Sequence, residues 1–223
     1  MKTLVTSLPM AYSKDPREPG LYWAGFINTR SAWEFIPDDM FKSTKKDDMG
    51  NLYDPDKDFE GKEMLKPEFK KNILGIEGQL WSETVKGPDM LEYYYLPKII
   101  GLAERAWAPN PSWAIIEDTK KRNSAIDAAW WQFAAQLGYK ELPRLNYIYG
   151  GSTYRIAPPG GFINDGKLFV STPMPGFDVR YTTDGTEPTV KSAKYEVPVA
   201  VNGDVVIKSF DKEGNSSLSF PVK

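Results

Sequence analysis

Apolar positions along this chain recur in two rhythms, and the change falls near residues 142–152. Before that point the spacing is mostly helical, in threes and fours; after it, short alternating runs predict strands. Lys2 to Leu8 reads as a short strand, followed by the turn-rich YSKDPREPG. Leu21 to Ile27 could be extended, and Ser31 to Phe35 opens a short helix. Residues 42–72 are charged and sparsely apolar, which predicts a long surface loop.

Ile73 to Trp81 then predicts a buried strand. With a period of two, Glu77, Gln79, Trp81 and Glu83 share one face, and Leu74, Ile76 and Leu80 the other. A polar-aromatic face opposite an aliphatic one fits a barrel stave between a polar lumen and a shell of helices. From Leu91 to Trp107, the positions Leu96, Ile99, Ile100, Ala103 and Trp107 form one stripe, with Pro97 breaking or restarting the helix. Trp113 to Leu137 carries Ile126, Trp130, Phe133 and Leu137 at helical spacing, with Gly138 where a C-terminal cap belongs. From Tyr154 onward, segments such as KLFVST, DVRYTT and DVVIKSFD alternate between turn signals at Asp184-Gly185, Asn202-Gly203 and Gly214-Asn215. That pattern predicts a β-sandwich of immunoglobulin-like size.

Composition narrows the chemistry more than it fixes the fold. At 223 residues, 41% hydrophobic and 26% charged, the chain has the make-up of a soluble globular protein. Its formal net charge of −2, with no basic run, argues against nucleic acid as a partner. No stretch approaches the roughly 20 apolar residues of a membrane span. The opening MKTLVTSLPMAYSKD is broken by Pro9, makes a poor signal peptide, and reads like a strand cut from a longer parent. The absence of Cys and His excludes disulfides, thiolate nucleophiles, His-based triads and the usual zinc sites. Acid–base work would fall to Asp, Glu, Lys or Tyr. Asp54, Asp56, Asp58 and Glu60 alternate in a way that hints at calcium, but lack the spacing and turn glycine of an EF-hand. We expect no metal and no cofactor.

The stretch ILGIEGQLWSETVKGPDMLEYYYLPKIIGLAERAW resembles the last barrel strand and helix of glycoside hydrolase family 20, the β-N-acetylhexosaminidases. Its elements here are Gly75 and Glu77, then Trp81 and Glu83, then Pro97, and Ala103, Glu104 and Trp107. Upstream, EPGLYWAGFINT resembles the family's loop after the seventh strand, with Trp23 as its aromatic wall. YTTDGTEPT, Ser192, Tyr195 and KSFDKEGNSS resemble the sandwich domain appended to bacterial chitobiases, a more generic likeness.

The resemblance implies a fold of α/β plus all-β class: the last two strand–helix units of a TIM barrel over 1–142, a linker over 143–153, and an immunoglobulin-like β-sandwich over 154–223. It implies hydrolysis of terminal N-acetylhexosamine from glycans, in which the substrate's own acetamide attacks the anomeric carbon. The Asp-Glu pair that orients the acetamide and protonates the leaving oxygen follows the family's fourth strand, which has no counterpart here. No catalytic residue is therefore assigned, and the chain alone is expected to be inactive. Implied for substrate binding are Trp81 as an indole platform, Glu83 as an acceptor from sugar hydroxyls, and Trp23 at the pocket mouth. Charged hydrogen bonds of the Glu83 kind contribute about 1.5–3 kcal/mol. The family places a Tyr and, two residues on, an Asp at the end of its seventh strand. Aligned back from Tyr12-Ser13-Lys14-Asp15, Ser7 and Pro9 fall there, so either the alignment slips near the start or part of the pocket is lost. The implied partners are N-acetylhexosamine-containing glycans and either the missing barrel half or a second copy of the chain. A non-catalytic carbohydrate-binding or assembly module is the alternative. The parent family is periplasmic or extracellular.

Overall fold

The computed structural model describes residues 3–6, 28–44, 51–80 and 85–222, the side chains of 3–6, Pro55 and Asp56 excepted. The chain divides into two compact units, Met1–Ala128 and Ala129–Lys223.

In the first unit, β1 (Thr3–Thr6) pairs in parallel with β2 (Glu77–Leu80), Thr3 opposite Glu77 and Thr6 opposite Leu80. Parallel strands need a crossover connection, and its described part supplies α1 (Thr29–Trp33), α2 (Met40–Ser43) and α3 (Pro55–Asp58). Asn28 caps α1 by accepting the Ser31 amide at 2.9 Å. A 3-10 turn over Pro67–Asn72 leads towards β2. The expected surface loop over 42–72 thus holds short helices, although most of its described residues are exposed.

Two helices follow β2. α4 (Pro88–Tyr95) and α5 (Lys98–Trp107) are separated at Leu96-Pro97, where Pro97 interrupts the helix as its missing amide predicts. α4 buries Met90, Tyr93 and Tyr94 in one cluster, against which Leu80 of β2 packs. α5 lies against α1: Gly101 is so close that a Cβ there would come 2.7 Å from the Thr29 carbonyl. A Cβ on Gly78 of β2 would sit 2.5 Å from Leu102 of α5. Gly78 and Leu80 therefore turn towards the helices. Glu77 and Gln79, on the other parity, hydrogen-bond to each other, Gln79 Nε2 donating to Glu77 Oε1 at 3.1 Å.

Two expectations are corrected in this unit, the second in part. The strand begins at Glu77 rather than Ile73, and Leu74 is 97% exposed instead of buried. Of the expected stripe, Leu96 is buried and Ile100 half-buried, but Ile99, Ala103 and Trp107 face water, while Lys98, Gly101 and Leu102 face the protein. Periodicity reveals that a helix has an apolar face, not what covers it. The Arg105 guanidinium lies 5.5 Å from the Trp113 ring centroid.

The helix α6 (Thr119–Gln136) runs through the division between the units. Asp118 caps it, accepting the Lys121 amide at 2.8 Å. Buried Arg122 fixes the entry by donating to the carbonyls of Ile116 and Glu117, each at 2.9 Å.

In the second unit the helical path continues through a π-turn (Leu137–Glu141) into α7 (Leu142–Leu145). Gly138 is not a left-handed cap. It lies inside the π-turn, and a Cβ there would overlap the Pro175 carbonyl. Gly176 faces it in turn, at φ +98°. The glycine is needed for close approach, and sequence alone read it as a terminator.

Seven strands follow among the described residues: β3 (Gly160–Asn164), β4 (Lys167–Ser171), β5 (Asp178–Thr182), β6 (Ala193–Lys194), β7 (Val199–Ala200), β8 (Val206–Phe210) and β9 (Phe220–Pro221). They form two antiparallel sheets, ordered β3-β4-β7 and β6-β5-β8-β9. Leu168 of β4, Val179 of β5 and Ile207 of β8, with Val205 just before β8 and Val222 just after β9, form one buried cluster. The turn glycines Gly185, Gly203 and Gly214 adopt positive φ, as hairpin connections require.

Candidate functional site

The parallel pairing of β1 and β2 sets the frame of the candidate site. Their register makes Thr6 and Leu80 partners at one carboxyl-terminal edge of the two-stranded sheet. In barrels and open α/β sheets, chemistry collects at that edge, because the loops leaving several strands converge there. Ser7 follows Thr6 in the chain, and Trp81 follows Leu80. Trp81, Glu83 and Trp23, together with Ser7 and Pro9, lie outside the described residues.

What the structure describes is the support for that edge. Behind β2, Leu80 and Val85 rest on Met90, Tyr93 and Tyr94 of α4. The rings of Tyr93 and Tyr94 are 6.2 Å apart and both are buried, so the tyrosine run is packing. On the opposite parity, the Glu77–Gln79 hydrogen bond gives β2 a polar face, and Trp81 and Glu83 continue that parity in the sequence. Glu77 is consumed by this bond, which fits a structural role.

A cleft among the described residues of this unit lies at the other end of the strand. It has a volume of about 870 Å³ and is lined by Phe35, Asp38, Met40, Leu65, Ile73 and Glu77 among others, where the chain enters β2. The amino-terminal end of a parallel strand is the end that serves stability in barrel enzymes. Asp38 at its wall is paired with Lys70 at 2.8 Å, and that pairing raises the Lys70 pKa. Size alone does not make it the sugar pocket.

The acidic run is spent locally. Asp58 accepts the Asp54 amide at 2.7 Å, and Asp54 pairs with Lys57 at 2.8 Å. No group of three Asp or Glu side chains suited to a metal ion occurs among the described residues. No helix among them is long and apolar enough to cross a membrane.

One polar constellation in the second unit escaped the sequence reading. The Tyr154 hydroxyl donates to Asp211 Oδ2 at 2.8 Å, and Asn146 Nδ2 donates both to Tyr154 at 3.3 Å and to Glu213 at 3.0 Å. Burial, with the Asp211 carboxylate adding to it, pushes the Tyr154 pKa well above its ordinary value. Asp211 also accepts the amides of Glu213 and Asn215, at 3.0 and 2.8 Å, so the cluster ties the end of α7 to the turn after β8. Its residues lie 57 and 67 positions apart, a separation no local pattern reveals.

Comparison with known proteins bears on both units. Residues 5–110 match the glycosyl hydrolase family 20 catalytic domain, and residues 141–219 match the chitobiase/β-hexosaminidase C-terminal domain. The chain is 32% identical over 218 residues to an N,N′-diacetylchitobiase of Vibrio harveyi, an alignment covering 93% of this chain and 23% of that protein. It is 33% identical over 196 residues to a β-hexosaminidase of Vibrio vulnificus, covering 79% of this chain and 22% of that one. A β-hexosaminidase B of Pseudoalteromonas piscicida is 28% identical over 153 residues, covering 60% of this chain and 18% of that one. The chain therefore spans less than a quarter of the length of the relatives it matches.

Proposed function

From a chain that belongs to glycosyl hydrolase family 20, as the C-terminal portion of a hexosaminidase with its appended C-terminal domain, we propose that it supplies one wall of an N-acetylhexosamine pocket and not the catalytic acid. Trp81 offers an indole face to the sugar ring, Glu83 accepts from ring hydroxyls, and Trp23 lines the mouth. The catalytic Asp-Glu pair comes from barrel units outside this chain. The observation that carries this reading is the parallel β1–β2 pair, whose described polar face at Glu77 and Gln79 has the parity of Trp81 and Glu83.

The reading includes the domain plan: barrel units over 1–142, a linker over 143–153, and an immunoglobulin-like sandwich over 154–223. The two antiparallel sheets around one aliphatic cluster support the last of these. The substrate class, terminal N-acetylhexosamine on glycans, follows from the hexosaminidase and chitobiase names of the relatives.

The test is turnover of a chromogenic N-acetylglucosaminide. The chain alone should show none, and turnover at stoichiometric enzyme would sink the missing-acid reading. In titration calorimetry with chitobiose, Trp81→Ala should abolish whatever binding the intact chain shows.

A second reading, a non-catalytic carbohydrate-binding module, draws on one feature. Phe162 and Phe169 stack across β3 and β4, with centroids 5.2 Å apart and planes 8° from parallel, and Phe162 is exposed. Binding that survives Trp81→Ala and disappears with Phe162→Ala would favour it.

A further inference from the structure

The helical path of the second unit carries a row of rings that its core does not use. Trp130, Ala134, Gly138 and Leu142 follow one another at four-residue steps and are all buried. One position on, Trp131, Ala135, Tyr139, Pro143 and Tyr147 form a parallel i+4 row. Its three rings are each more than half exposed. One position further, Gln132, Gln136, Lys140 and Arg144 all face water. Successive rings stand about 12 Å apart, eight residues at about 1.5 Å each, with only Ala135 and Pro143 between them. In an unbroken α-helix an i+4 row advances about 40° per step and would wind round to the far side. The π-turn over Leu137–Glu141, with wider i→i+5 loops, turns less per residue and brings the rings back towards one flank.

A strained residue continues the row. Tyr149 is wholly exposed and holds φ +52°, a left-handed conformation that bulky side chains rarely adopt. The turn that imposes it is closed by the Gly151 amide on the Ile148 carbonyl at 2.9 Å and the Ser152 amide on the Leu145 carbonyl at 2.7 Å. Strain of this kind collects where a surface grips a ligand.

Width and polarity select the occupant. A protein partner covers about 800 Å² and avoids charge at the centre of the patch. Here the rings run in single file beside long side chains that donate hydrogen bonds, and the one carboxylate nearby, Glu141, pairs with Lys140 and Arg144 off the row. Such a strip suits a linear ligand with apolar C–H faces at intervals and oxygen acceptors along its edge. We propose that Trp131, Tyr139, Tyr147 and Tyr149 form an accessory track for an extended N-acetylhexosamine polymer, apart from the pocket for the terminal sugar. This rests on the reading of the substrate as an N-acetylhexosamine glycan. The rings take the C–H faces of the sugars, and the Gln132-to-Arg144 row meets hydroxyl and acetamide oxygens. A disaccharide reaches one ring; a longer chain reaches two or more.

The pocket is silenced first, by Trp81→Ala in the full chain. Binding of chitohexaose and of chitobiose is then measured by titration calorimetry. The track requires that chitohexaose still bind, and more tightly than chitobiose. Adding Tyr139→Ala should lower its affinity by about tenfold, while Tyr139→Phe keeps it and both variants retain the parent's far-ultraviolet spectrum. Affinity unmoved by Tyr139→Ala overturns the track. So does absence of chitohexaose binding once Trp81 is removed, and if the parent chain binds it, the pocket reading survives. Binding lost with Phe162→Ala instead places the glycan on the β3–β4 face and overturns the track as well. A rise in solution mass with concentration that Tyr139→Ala abolishes, without glycan binding, makes a second copy the occupant and has the same force. Chitobiose binding that is identical in the parent and Trp81→Ala chains counts against the pocket alone.

Discussion

Leu168, Val205 and Ile207 in the Ala129–Lys223 unit are sealed in one cluster with two antiparallel sheets around it. In the Met1–Ala128 unit, Leu74 and Trp107 stand almost wholly in water, and the α5 stripe has nothing described against it. Hydrophobic residues are not scarcer in the first unit. Among the described residues of that unit, several of them lie in water rather than in a core. Antiparallel sheets pair through short hairpins and can close a core within about 70 residues, whereas a parallel strand needs a crossover helix and further units on both sides. The difference teaches that burial measures completeness of an architecture as much as composition.

The sharpest way to break this comparison is a core truncation in the closed unit. Ile207→Ala removes a fully buried side chain and should cost about 2–5 kcal/mol. Hydrogen exchange read by mass spectrometry should show protection lost across β5 and β8, with β2 unchanged. Comparable loss at β2 would mean that the units do not unfold separately.

Gly138→Ala comes next, at about 1–3 kcal/mol of destabilisation from overpacking against Pro175. A shift in denaturant midpoint with an unaltered slope would fit that account, and no shift would refute the close contact.

Tyr154→Phe should cost about 1–2 kcal/mol at neutral pH, the worth of a buried hydroxyl bonded to a carboxylate. The sign of its pH dependence follows from the raised pKa. The folded state keeps the phenol proton longer than the unfolded chain does, so the associated stability is complete below the ordinary tyrosine value near 10 and is lost as pH rises above it. Stability curves of the parent and Tyr154→Phe should converge in alkali. Curves that stay parallel would remove Tyr154 as the titrating group.

The smallest effect sharpens the contrast from the other side. Leu74→Ser, at a side chain 97% exposed, should change stability by less than about 0.5 kcal/mol. A larger loss would show that Leu74 is covered in solution.

How far these features could be read in advance depended on how local their causes are. Pro97 divides α4 from α5 through its own missing amide, and the turn glycines mark connections through their own backbone freedom. Both were legible. Of Ile126, Trp130, Phe133 and Leu137, read at helical spacing, all but Phe133 are buried and Phe133 is half-buried. The outward turn of the α5 stripe, the role of Gly138 and the Tyr154–Asp211 bond depend on residues far away in sequence, and no periodicity carries that information. For the site, parity along β2 was legible as the Glu77–Gln79 pair, while Trp23, Trp81 and Glu83 lie outside the described residues.

The contact of Gly138 with Pro175 and Gly176 has a practical corollary for anyone who wants the strands as a portable cassette. A cut at 154 would discard the helical turns on which that loop rests and lay bare the Pro175 carbonyl, shaped to a vanished neighbour. A cut ahead of Ala129 would carry the lid along with the box.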